Sequence, residues 1–131
     1  MSATTSIVTG VDFIAVPTQD FEAADEFYGN VLGLERSKRW GDMPAGEFEN
    51  GTVTIAVMQS DAFGLEFKPH SHPIAFQVAD VAAAREALEA QGVEFVPDTV
   101  DSGVCHMAYF RDPDGNALML HHRYAPKDER I

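Results

Sequence analysis

The sequence holds little that would tie it to nucleic acid, a membrane or a disulfide-stapled scaffold. It has one cysteine, Cys105, among 131 residues, so no internal disulfide framework can form. A small buried hydrophobe and a reactive thiol are the roles open to that residue. Lys and Arg number 9 against 21 Asp and Glu, a formal net charge of −12. No basic patch exists to neutralise phosphates, which argues against nucleic acid as a partner. No apolar run approaches the roughly 18 residues of a membrane span. Residues 1–9 lack the basic start and apolar stretch of a secretion signal. The expectation is a soluble cytoplasmic protein with no membrane partner. No glycine-rich phosphate loop and no Ser-His-Asp or Cys-His order stand out. Asn50-Gly51-Thr52 matches the glycosylation pattern, but without a secretion signal Asn-Gly reads as a hairpin turn.

What is present is an apolar fraction of 45% and an internal repeat. The length suits one domain with a substantial core. Shifted by 60 residues, Phe13-Ile14-Ala15-Val16 falls on Pro73-Ile74-Ala75-Phe76, and Asp20 on Asp80. Each Asp is a good N-cap for the helical pattern that follows. Phe21, Ala24, Phe27, Tyr28, Val31 and Leu32 make one apolar face; Val81, Ala84 and Leu88 make the second. Gly33 and Gly92 stand where glycines end helices. The halves also close alike: a turn at Asn50-Gly51 precedes a strand at 52–58, and a turn at Asp114-Gly115 precedes a strand at 116–122. The fold class is therefore α+β, with two tandem βαβββ modules at about 10–60 and 70–124 in a single domain over 1–131. The stretch 60–69 links the modules, and 1–9 and 125–131 are expected to be tails. Each module leaves one sheet face bare. Two sheets side by side, helices outside, would form a cupped mixed sheet around a small-molecule pocket.

The chain resembles the vicinal oxygen chelate superfamily, which includes the glyoxalases, bleomycin-resistance proteins and extradiol dioxygenases. Phe27-Tyr28-Gly29-Asn30-Val31-Leu32-Gly33-Leu34 and Phe110-Arg111-Asp112-Pro113-Asp114-Gly115-Asn116 are similar to two of its segments. Both are turn and packing motifs, so they speak for the fold more than for chemistry. The resemblance implies a divalent metal held by four His, Glu or Gln side chains, one from the first and one from the last strand of each half. Carried over, those positions are Phe13, Ile55, Pro73 and Met119. Only the thioether among them is a donor, and it suits soft metals alone. No metal and no cofactor are therefore expected. A bulge that puts His72 in place of Pro73 remains open, because a shift of one residue turns a side chain to the opposite face. A centre of His70, His72 and His121 fails on distance: three residues of offset is about 10 Å at strand rise. Asp112-x-Asp114-Gly115 is similar to a calcium loop, but the glutamate such a loop needs would fall at Arg123, which favours a plain turn.

Alternation along the strands points Phe13 and Ile55 of the first half, and Ala75, Gln77, Met119 and His121 of the second, into the cup. Trp40, His106 and Tyr109 are further ligand-binding candidates for its rim or floor, as are the methionines at 43, 58 and 107. Core packing is the plainer role for each aromatic and Met. Gln77 and His121 are the polar pair among apolar walls, and His121 is the candidate general base. The reading that ranks first is a metal-free protein that binds or sequesters a small, partly apolar molecule, with a cationic one suited to the acidic surface. The alternative is a lyase, isomerase or dioxygenase-type enzyme with a displaced or absent metal site; an accessory domain that binds other proteins ranks third. The family often pairs two chains, which makes a homodimer the expected assembly.

Overall fold

The repeat becomes two sheets of the same design. A computed structural model describes residues 6–126. The outer parts of both expected tails, 1–5 and 127–131, lie outside the described residues. The elements run β1 (Phe13–Thr18), α1 (Phe21–Asp25) continued by a π turn (Glu26–Val31), β2 (Glu35–Arg39), β3 (Ala45–Glu49), β4 (Thr54–Gln59), and a 3-10 turn (Ser60–Phe63). The second half repeats the pattern: β5 (Ile74–Gln77), α2 (Val81–Glu89), β6 (Val100–Asp101), β7 (Cys105–Arg111) and β8 (Ala117–Arg123). Sheet order is β1-β4-β3-β2 in one half and β5-β8-β7-β6 in the other, with β1 parallel to β4 and β5 parallel to β8. The α+β class and the doubled βαβββ design stand.

The caps formed as the side chains dictate. Asp20 and Asp80 sit in extended backbone and accept from Ala23 N–H and Ala83 N–H. Gly33 and Gly92 follow the helical turns at positive φ, 73° and 92°. The first helix differs from a plain α-helix: from Glu26 it widens into a π turn. Phe21, Ala24, Phe27 and Tyr28 remain buried, and Val31 and Leu32 are only half-buried.

One core joins the two modules. It holds Val16, Phe48, Ile55 and Val57 of the first sheet, Ala108, Phe110, Leu118 and Leu120 of the second, and the apolar faces of both helices. The Asp112–Asn116 turn adds a polar clasp. Tyr28 Oη donates to Asp112 at 2.6 Å, Asn116 Nδ2 donates to Asp112 and to the Pro17 carbonyl, and Asp114 accepts from Thr18 and from Gln19 N–H. Asp112 and Asn116 are buried and satisfied. These bonds explain the Asp-Pro-Asp-Gly-Asn stretch as a turn that fastens one half to the other.

Candidate functional site

Which face of each strand is left open follows from its register. In the first sheet Ile14 is level with Ile55 and Val16 with Val57; Val16, Ile55 and Val57 enter the core, and Ile14 points the same way but is 38% exposed. Phe13, Ala15 and Pro17 point the other way, level with Thr54, Ala56 and Met58. The expectation for Ile55 is corrected here: it is 1% exposed and faces the helix side, opposite to Phe13. The strand after Asn50-Gly51 begins at Thr54, because Asn50 Oδ1 accepts from Thr52 and Val53 N–H and draws both residues into the turn.

In the second sheet Leu118 and Leu120 face the core, so their neighbours open outward. Gln77 is level with His121, Ala75 with Met119, Tyr109 with Met119, and Met107 with His121. Four of the expected site residues, Gln77, Tyr109, Met119 and His121, thus share one open face. Tyr109 Oη lies 3.5 Å from Met107 Sδ. His106 is not with them. It alternates to the opposite side of β7, where its ring packs on Tyr124 at 4.8 Å and Nε2 lies 3.4 Å from Asp101. Gly103 N–H, and then the Tyr124 hydroxyl, hold the Asp101 carboxyl below the usual carboxylate range.

The open face of the first sheet carries Phe13 and Trp40 as expected, and two carboxylates that sequence reasoning missed. Glu47 is level with Ala56 and accepts a 2.7 Å hydrogen bond from Trp40 Nε1. Glu49 accepts from the Ser37 and Thr54 hydroxyls, and these bonds lower its pKa. The signal was the alternation Ala45, Glu47, Glu49 against Gly46 and Phe48, which assigns the acids to one face.

The side chains at the ligand positions that the fold family implies do not fit its metal. The side chains at the relevant strand positions are Phe13, Thr54, Ala56, Ala75 and Met119. Pro73 precedes β5, and its place in the register is level with Ala117, not with Met119. His72 also lies before β5, exposed, with Nδ1 3.3 Å from Ser71 Oγ. Its distance from His121 along the register is therefore greater than expected. Among the described residues no three His, Cys, Asp or Glu side chains stand where they could share a metal ion.

Two clefts are lined mainly by residues of the helix-facing side of the sheets. One, of about 880 Å³, runs between the modules and is lined by Ile14, Ile55, Ile74, Phe76, Leu88 and Leu120, with Gln77 at its border. The other, of about 900 Å³, lies near Pro73, Phe95, Tyr109 and Ala117. Neither takes in Trp40, Met119 or His121. No helix among the described residues is long and apolar enough to cross a membrane.

Comparison with known proteins agrees with the fold. Residues 10–120 match the family model for the Glyoxalase/Bleomycin resistance protein/Dioxygenase superfamily. The uncharacterized protein YurT of Bacillus subtilis (strain 168) is 28% identical over 118 residues, 78% of this chain and 90% of YurT. A putative glyoxalase family protein from Bacillus anthracis superposes with a TM-score of 0.76 at 24% identity, covering 92% of this chain and 99% of that one. A lactoylglutathione lyase from Agrobacterium tumefaciens gives 0.71 at 19% identity, covering 87% and 93%. At such identities the structural matches speak for the fold alone.

Proposed function

We propose, from the premise that the chain belongs to the Glyoxalase/Bleomycin resistance protein/Dioxygenase superfamily, that it binds or sequesters a small, partly apolar molecule on its open sheet faces, in the cytoplasm, as a metal-independent homodimer. The observation that carries this reading is the register that sets Gln77 beside His121 and Tyr109 beside Met119 on one outward face. Apolar area with a few convergent polar groups is what small-molecule sites are built from. Met107, Tyr109 and Met119 supply area of adaptable shape. Gln77 can donate and accept, and His121 can do either depending on tautomer, so the pair orients a ligand that the apolar wall only holds.

Titrating a library of neutral and cationic aromatic compounds, followed by NMR, tests the reading. Binders are expected to move the Gln77 and His121 signals, and His121→Ala is expected to weaken them about tenfold, the worth of one hydrogen bond lost from a shielded site. A set of binders that leaves both residues unmoved overturns it.

A further inference from the structure

The other open face has a chemistry of its own. Trp40 stands between two phenyl rings: Phe13 at 5.9 Å with the planes at 77°, and Phe63 at 6.0 Å with the planes at 83°. Phe13 comes from β1, Trp40 from the residue after β2, and Phe63 from the 3-10 turn after β4. Three separate segments therefore converge their rings on one corner of the sheet. Phe13 is 44% exposed, so the corner is not sealed core. Glu47 lies at its base, half-buried, with its carboxylate fixed by the Trp40 indole N–H at 2.7 Å.

A carboxylate set among half-buried aromatic rings favours a cation beside it. Among the described residues Glu47 makes no ion pair. The nearby Arg39 lies over the Phe21 ring, 4.4 Å from its centroid. Lys38 is level with Glu47 across the strands but is exposed. Aromatic faces attract cations through their quadrupole, and most strongly those that are poorly hydrated. An alkylated ammonium group meets both demands, because its methyl groups pack on the rings and its charge is spread. An ammonium with free N–H groups would keep more of its water.

We infer that Phe13, Trp40, Phe63 and Glu47 form a binding corner for the alkylated ammonium group of a soluble small molecule. The inference rests on the binding role proposed above and names the ligand class for this face. The net charge of −12 draws such a cation from a distance and repels anions.

Trp40 is the only tryptophan, so its fluorescence reports this corner directly. Choline and its uncharged isostere, 3,3-dimethylbutanol, are titrated into the whole protein at low salt. Saturable quenching by choline is expected, about tenfold tighter than by the isostere. Glu47→Gln keeps an acceptor for the indole N–H and is expected to remove most of that preference. Phe63→Leu is expected to weaken choline with the fold intact by circular dichroism. Equal affinity for the two probes, or no saturable response, overturns the inference. So does quenching by phosphatidylcholine vesicles with none by free choline, which would assign the corner to a lipid surface. Library compounds that move Gln77 and His121 while choline leaves Trp40 unchanged would sink this inference and leave the proposed function standing.

Discussion

Tyr28 shows how much one residue can hold. Its hydroxyl is buried against Asp112, and burial first, then the Asp112 charge, pushes its pKa far above the usual tyrosine value. A raised tyrosine pKa means the folded state keeps a proton that the unfolded chain gives up. Its contribution is therefore complete below about pH 10 and shrinks as pH climbs past that point. Urea unfolding is expected to lose stability above pH 10, with a shallower loss in Tyr28→Phe. At neutral pH the same substitution is expected to cost about 1–3 kcal/mol, since Asp112 loses a buried donor. An unchanged alkaline slope in Tyr28→Phe would remove Tyr28 from the account. At Phe13, Ala56 and Met119 the argument is one of donor chemistry. None is an oxygen or imidazole donor, and elemental analysis of tag-free protein is expected to find less than about a tenth of an equivalent of Zn, Fe or Mn.

Among the elements, β4 is the one whose placement changes the site. A turn two residues longer than the Asn-Gly dipeptide moves its start to Thr54. The parallel register with β1 then sets Thr54 and Ala56 level with Phe13 and Ala15, so they, and not Ile55, share the open face. The register makes opposite forecasts for neighbouring residues. Ile55→Ala is expected to cost about 2–5 kcal/mol as a cavity in the shared core. Thr54→Ala is expected to change stability by less than about 1 kcal/mol and to release one hydroxyl bond to Glu49. Denaturant midpoints that reverse this order would put Ile55 back on the open face. The helices were more legible: both Asp caps, both terminal glycines and both apolar faces lie where periodicity puts them. The π turn at Glu26–Val31 had no such signal, since the same residues satisfy an ordinary helical face.

For the whole molecule the main question is what covers the open faces. Both helix-facing sheet sides are used up in one intramolecular core. The opposite faces are not, and β1 and β5 are edge strands. Val11, Phe13 and Ile14 are 65%, 44% and 38% exposed along one of those edges. A second copy of the chain offers the same edges by twofold symmetry, the commonest way such edges are covered, and leaves the faces to a ligand. Light scattering is expected to give twice the chain mass of 14.3 kDa at micromolar concentration. A monomer under those conditions would leave the homodimer without support.

The sequence by itself determined the repeat, the helix caps and faces, and the glycines that end helices and make turns. These are local matters of capping, positive φ and side-chain period, and the residues that decide them are neighbours in the chain. Only the tertiary structure decided which residues meet. Gln77 is level with His121, and Tyr109 with Met119, because parallel and antiparallel pairing across three strands sets them so. His106, three residues before Tyr109 on the same strand, lies on the reverse face. Glu47 and Phe63 joined Trp40 through a strand register and a 3-10 turn that no local pattern announces. Register depends on the lengths of turns and on the packing of a core drawn from both halves, and neither can be read from one stretch of chain alone.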